Sequence, residues 1–350
     1  MASSARCSYL PPHFSGGLTR FIDYALPKMI YLDDITAYRF WFSGMRACVD
    51  LDRAHRLDTP LDCPTSAAEL DSVHLDVLPR GLGMLSLAVA DESQRIRRSK
   101  YKYHVMPPSL PAGSFVQFNE EICVASPELT LMQVSRHFSQ VHLSRSICEA
   151  CGSYVSMPGF DGKCIDDLLP ITSREKLEAF ADSRPEGFCA APLRRALGWC
   201  SEHSASPRET ELQLLLNMGT FYGGAHVPRF EMNVKLALPV PFQRYLGKRY
   251  VVPDLYDAAA NLDVEYMSDQ EHSGTERRNQ DSKRRNVLEQ MGVHVIEVWN
   301  EDMKNAVAFE RIVEEVKRGL GIRYRMSSPA LLERRQRLMN ELRADPLRAG

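Results

Sequence analysis

Residues 250–267 read YVVPDLYDAAANLDVEYM, and the way this stretch pairs decides the fold around it. Two runs with strand character, Tyr250–Asp257 and Leu262–Met267, flank a turn-like Asp-Ala-Ala-Ala-Asn. The midpoint of Asp254 and Glu265 falls between Ala259 and Ala260, so a symmetric hairpin sets the two acids opposite each other on one face. Opposed like charges weaken a strand pair, and a buried pair of carboxylates repels strongly. A divalent cation held between them offsets that repulsion, because hard cations take carboxylate oxygens. The pattern suggests a metal site of the kind that cuts phosphodiesters.

C-terminal to the hairpin, Gln280–Met291 has helical spacing, with Val287, Leu288 and Met291 on one side and Gly292 as its stop. The strand Val293–Trp299 (VHVIEVW) follows, burying Val293, Val295 and Val298. N-terminal to the hairpin, a strand is expected over 230–238. Before it, Ser206-Pro207-Arg208-Glu209 has the spacing of a capping box that opens a helix through Leu212–Leu216. Helix, three strands, helix and strand in that order predict an α/β unit with a mixed sheet flanked by helices. The tail, 302–343, reads as helical and basic, with Arg334, Arg335 and Arg337 on a solvated face.

Farther upstream, Ser126 suits an N-cap, Pro127 the first helical position and Glu128 the positive end of the helix dipole. Leu129, Met132, Val134 and Phe138 supply the apolar face. Leu143–Cys151 forms a second helix ending at Gly152, and two more are expected at 173–182 and 190–202. Residues 103–125 read as two strands joined through Pro-Pro-Ser-Leu-Pro-Ala-Gly, while Asp34–Cys48 and Ala67–Leu78 carry helical spacing. The stretch Gln94–His104, QRIRRSKYKYH, interleaves basic and aromatic residues, as a phosphate-tracking surface does and as an ordinary solvated strand also does. The chain thus divides into a small mixed or winged-helix-like α+β region (1–110), a helical middle region (111–202), an α/β domain (203–302) and a basic helical tail (303–350).

At 350 residues the chain is long enough for two domains and a well-buried core. Its 44% hydrophobic and 25% charged residues are those of a soluble globular protein. A net charge of −2 offers no overall field for a polyanion, so any nucleic-acid contact must use local basic patches. Nine cysteines, an odd number, do not form a secreted disulfide framework. The opening MASSARCSYLPPHFSGG lacks the apolar centre of a signal peptide, and no apolar run is long enough for a membrane span. A reducing cytoplasm is the expected home.

Asp254, the Glu265-Tyr266 pair, His272 and the helix carrying Asp281, Arg284, Arg285, Leu288 and Gly292 together resemble the PD-(D/E)xK nuclease superfamily. The likeness is to its branch related to very-short-patch repair endonucleases; the Ser206–Glu209 helix start and the Gly223-Gly224 turn also fit that branch. More loosely, residues 103–200 look like the middle portion of AbiEi-like type IV toxin–antitoxin antitoxins, through Ala125–Leu129 and Cys151-Gly152. The nuclease resemblance implies a restriction-endonuclease-like sheet, Mg²⁺ on Asp254 and Glu265, and DNA as substrate in phage defence or repair. It implies Glu209 as a supporting acid and His272 as the proton-transfer or phosphate-orienting group. Asp281 and Arg284 or Arg285 would position the active-site helix or contact backbone phosphate. One departure stands out: Met267 occupies the position where the superfamily motif has lysine, and methionine neither takes Mg²⁺ well nor moves a proton.

Each of these residues also has an ordinary structural explanation. Glu209 is accounted for by the capping box, His272 by a polar loop, and Asp281 with Arg284 and Arg285 by helix-stabilising spacing. Cys148-x-x-Cys151 and Cys200-x-x-His203 have the spacing of zinc half-sites. The long gap between the halves speaks against zinc, and small buried hydrophobes explain the cysteines equally. Two functions follow: a Mg²⁺-dependent endonuclease, or a DNA-binding antitoxin or regulator, with a toxin or regulatory protein as partner and a degenerate nuclease-like domain.

Overall fold

The computed structural model describes residues 28–60, 62–78, 83–157, 163–183, 185–267 and 275–347. The chain is mixed α/β. In chain order the N-terminal elements are β1 (Ile30–Leu32), α1 (Asp34–Trp41), β2 (Arg56–Leu57), α2 (Ala67–Ser72), β3 (Leu85–Val89), β4 (Tyr101–Val105), β5 (Phe115–Gln117) and β6 (Ile122–Ala125). They make a six-stranded sheet ordered β2-β5-β6-β1-β3-β4. The β1–β6 and β3–β4 pairs are parallel and the others antiparallel. Every residue of β1, β3 and β6 is buried, as strands covered on both faces should be. Trp41, at the end of α1, donates its indole N–H to the Ala125 carbonyl at 2.7 Å and locks helix to sheet.

The middle region holds α3 (Pro127–Val134), α4 (Gln140–Ala150), β7 (Val155–Ser156), β8 (Cys164–Ile165), α5 (Arg174–Asp182) and α6 (Ala191–Leu197). Ser126 caps α3 by accepting from Leu129 N–H, as its sequence predicts. Gly152 ends α4 where a Cβ would lie 2.6 Å from the Ser204 carbonyl, so only glycine lets the chains approach that closely. Arg46 is buried against this corner and donates to the carbonyls of Glu149, Gly152, Tyr154 and Leu169.

The C-terminal elements are α7 (Pro207–Asn217), β9 (Glu231–Met232), β10 (Leu236–Ala237), α8 (Val240–Leu246), β11 (Tyr250–Val251), β12 (Leu255–Asp257), β13 (Leu262–Met267), α9 (Thr275–Gln290), β14 (His294–Trp299), α10 (Ala306–Gly319) and α11 (Pro329–Arg343). A four-stranded sheet is ordered β14-β13-β12-β9, with β13 and β14 parallel and α9 as their crossover. Buried apolar residues from Ile30 to Leu342 form one continuous core. A smaller core of Leu238, Val251, Tyr256, Val287, Leu288 and Val293 lies under α8 and α9.

Several boundaries differ from the sequence expectation for identifiable reasons. The helix expected over Asp34–Cys48 stops at Trp41, because Ser43 turns its hydroxyl back to the Phe40 carbonyl and opens a separate 3₁₀ turn at Gly44–Cys48. The helix expected over 67–78 ends at Ser72, and 103–125 holds parts of three strands rather than two. The expected strand Tyr250–Asp257 is broken at Val252-Pro253, since proline has no N–H for the ladder. The expected strand 230–238 is likewise split at Asn233, whose φ of 53° is left-handed, and α8 follows where no helix was foreseen. On β14, Ile296 is buried alongside Val298, whereas Val295 is only half-buried. Arg335 is not solvated: it is 1% exposed and donates to the Gly223 carbonyl and to Glu310. Arg337 is exposed, as expected, and Arg334 is half-buried, donating to the Thr220 carbonyl.

Candidate functional site

The β12–β13 register pairs Leu255 with Val264, Tyr256 with Asp263 and Asp257 with Leu262. Continued by one residue, it sets Asp254 opposite Glu265, as the symmetric hairpin predicts. Side chains alternate along a strand, so Asp254, Asp263, Glu265 and Met267 share one face, and Leu255, Leu262 and Val264 fill the core on the other. Asp254 accepts a hydrogen bond from Tyr266 N–H at 2.8 Å through Oδ2. Burial pushes its carboxyl well above the usual range, and the Glu265 and Glu209 carboxylates push it further. That mutual repulsion places the three acids in one electrostatic site.

Glu209 reaches the site from the first turn of α7. Its own N–H donates to Ser206 Oγ at 3.2 Å, closing the cap. Its carboxylate accepts from Ala205 N–H (2.9 Å), Ser206 Oγ (2.9 Å) and Asn233 Nδ2 (2.8 Å). Burial still raises its proton affinity despite these donors, with Glu265 adding to the rise. The capping box and the acid cluster are therefore the same residue serving two contacts.

Asp263 was not foreseen, although it is the most deeply buried acid of the group. It is 0% exposed, and neither carboxylate oxygen receives a hydrogen bond. Burial first, and then Glu265 beside it, lift its pKa to about 10. Burial and the neighbouring carboxylate both favour the protonated form of Asp263. Its position in an alternating strand reads as an outward polar residue; the only sequence signal was its shared parity with Glu265.

Arg284 on α9 is the principal counter-charge. Its two terminal nitrogens each donate to one Glu265 oxygen, the longer contact at 2.9 Å, and one also donates to the Val252 carbonyl. Burial would lower the proton affinity of this guanidinium, but Glu265, Asp254 and Asp263 raise it by more. Arg285 faces elsewhere, bridging Glu289 (2.9 Å) and Glu297 of β14 (2.7 Å) at the surface. Met267 lies on the acid face and pairs in register with Trp299. His272 and the side chain of Asp281 lie outside the described residues.

In donor type the carboxylates suit Mg²⁺. In arrangement, both Glu265 oxygens are engaged by Arg284. No three His, Cys, Asp or Glu side chains surround one ion position among the described residues. A cation on Glu265 would therefore compete with Arg284 for the same oxygens.

The cysteines of the two expected half-sites neighbour one another. Cys148, Cys151 and Cys200 are buried free thiols. Cys148 donates to Gln213 Oε1 at 3.2 Å, and Cys200 lies 3.2 Å from the Ser144 carbonyl. Burial pushes the Cys148 and Cys151 thiols well up, and the neighbouring Cys200 thiol adds to both rises.

A second polar cluster closes the end of β1. His104 Nδ1 lies 2.8 Å from Asp33 Oδ2 and His137 Nε2 lies 3.0 Å from Asp34 Oδ2, while Gln133 donates to the Asp33 carboxylate and accepts from the Asp34 backbone N–H. It ties β1, α1, β4 and the end of α3 together. Nothing beyond the Asp33-Asp34 pair announces it in the sequence.

Compared with known proteins, the chain matches no family model, no curated protein and no solved structure. Among the described residues no helix is long and apolar enough to cross a membrane.

Proposed function

We propose that the C-terminal part of the chain is a restriction-endonuclease-like domain and that Glu209, Asp254 and Glu265 form a Mg²⁺-dependent centre for cleaving DNA phosphodiesters. The observation that supports it most is the convergence of these acids, with Asp263 beneath them, against one well-placed guanidinium. Such a concentration of buried negative charge is unfavourable without protons or a cation. When bound at Asp254 and Glu265, Mg²⁺ supplies stabilisation of charge on the phosphoryl oxygens and acidifies the attacking water. Asp254 and Glu265 would hold the cation, and Glu209, already fixed by its three donors, would support them. Arg284, on leaving Glu265, is free to pair with a phosphate oxygen, a task to which its planar fork is suited. Met267 contributes no proton carrier on this face, so any proton transfer falls to the carboxyls and water.

The test is cleavage of single-stranded, duplex and mismatched DNA with added Mg²⁺ or Mn²⁺. Wild-type protein should cleave at least one form, and Glu265→Ala should abolish the activity. Equal cleavage by Glu265→Ala would overturn the assignment.

A second reading is favoured by Met267 and by the closed Arg284–Glu265 pair: a DNA-binding antitoxin or regulator whose nuclease-like domain has lost catalysis. Thermal melting in millimolar Mg²⁺ or Mn²⁺ separates the two. Stabilisation that disappears in Asp254→Asn supports a working cation site, and an unchanged melting curve in the wild type supports the regulator.

A further inference from the structure

We propose that residues 233–251 form a docking arm for an unpaired nucleic-acid strand, delivering it to the acid cluster; this rests on reading that cluster as a phosphodiester site. From Asn233 to Pro253 the chain has no Asp or Glu, yet it carries Lys235, Arg244, Lys248 and Arg249. All four are exposed. None takes part in an ion pair among the described residues, whereas the neighbouring Arg208, Arg284 and Arg285 all do.

The arm is built to present these groups. Strands β10 and β11 pair Leu236 with Val251 and Ala237 with Tyr250. Between them α8 ends at Gly247, whose φ of 65° turns the chain sharply back. Leu238 and Val251, with half-buried Phe242 and Leu246, pin the arm to Val287 and Leu288 of α9. The opposite side is left uncovered: Val240 is 58%, Tyr245 55% and Tyr250 44% exposed. The Lys235 ammonium sits 5.0 Å from the Tyr250 ring centre, and that of Lys283 sits 5.7 Å from the Tyr245 ring centre. Cations beside exposed aromatic rings are what a strand with unstacked bases needs, because phosphates meet the ammonium groups and bases stack on the rings.

Position ties the arm to the chemistry. The chain passes from Tyr250 through the Val252 carbonyl, which Arg284 holds, directly to Asp254. Lys283 and Arg284 are consecutive on α9, one reaching the arm and the other the acids. A cluster of carboxylates repels a polyanion, and a chain of net charge −2 supplies no general attraction. A phosphodiester can approach those acids only beside a local positive surface, and the arm supplies one.

The experiment is fluorescence anisotropy of a short labelled oligodeoxynucleotide, single-stranded or duplex, in EDTA over a series of salt concentrations, with melting curves to verify folding. Wild type should bind the single strand more tightly than the duplex. The double variant K248E/R249E should bind it at least roughly tenfold more weakly, with the log–log salt slope shallower by about 0.7 per lost phosphate contact. The milder K248Q/R249Q should move both in the same direction. Y245A/Y250A should erase the preference for the unpaired strand while leaving the salt slope in place. Wild-type affinity and slope in both charge variants would overturn the arm, and so would a wild type that binds neither DNA. An unchanged strand preference in Y245A/Y250A would overturn the assignment of an unpaired strand. Arm-dependent binding without Mg²⁺-dependent cleavage keeps the arm and removes the nuclease reading; cleavage that arm variants leave untouched does the reverse.

Discussion

At the scale of single residues, Asp263 and Arg284 govern how the acid cluster tolerates its own charge. An unfolded aspartate releases its proton near 3.8, whereas burial and then Glu265 hold that of Asp263 until about 10. Between those values the folded chain keeps a proton the unfolded chain has lost. The contribution of this group to stability is therefore greatest at low pH and falls as pH rises, by at most about 1.4 kcal/mol per pH unit for one proton. The melting temperature should decline across that window, and Asp263→Asn should flatten the decline; an identical slope in the variant would place the proton on another group. Arg284→Met leaves Glu265 among other acids with no partner. Removing one member of such a pair costs about 3–5 kcal/mol, to be read by urea denaturation, with part of the loss recovered on adding Mg²⁺. Asp254 and Glu265 were legible in the sequence because a period of two and a symmetric turn fix both face and partner. Arg284 was legible as a cation, but linear order does not tell which carboxylate a guanidinium reaches across a crossover. Asp263 was opaque: whether an alternating acid meets water or protein depends on what covers that face, here α9 and the arm.

At the scale of elements, caps and turns were read well and strand continuity poorly. The α7 start follows from Ser206 and Glu209 alone, and Ser206→Ala should cost about 1 kcal/mol by denaturant titration. The same substitution removes a donor from the Glu209 carboxylate, so cation-dependent stabilisation should change with it, whereas Ser206→Thr should preserve both. Pro253 and the left-handed Asn233 cut the expected strands into short pieces that pair with different neighbours. Those breaks release β10, α8 and β11 from the main sheet. Pattern-based reading smooths over such interruptions because the apolar alternation continues through them, while hydrogen-bond geometry does not. The buried strands β1 and β3 show the opposite failure: with every residue covered, no alternation remains to distinguish a strand from a helical segment.

At the scale of the whole molecule, the C-terminal helices belong to the core. Phe309, Ile312, Val313 and Val316 of α10 and Leu338, Met339 and Leu342 of α11 pack into the same cluster as β1 and α4. Arg335, clamped between the Gly223 carbonyl and Glu310, fastens α11 to the turn after α7, and a Cβ on Gly223 would meet the Arg334 backbone at 2.5 Å. Arg335→Ala removes the counter-charge of Glu310, leaving only the Tyr324 hydroxyl and the Ser327 N–H as donors to it, and should cost about 3–5 kcal/mol. Because the core is continuous, tryptophan fluorescence and far-UV circular dichroism should shift together in that variant; separate transitions would show that the regions unfold independently. The tail was misread because its arginines suggested a solvated face, and only packing reveals that one of them points inward. This arrangement bears on how the protein is made. A nascent chain still waiting for α11 to leave the ribosome carries the faces of α4 and α7 that α11 has yet to cover. A premature stop upstream of α11 should therefore yield a substrate for chaperones and proteases rather than a shorter working molecule.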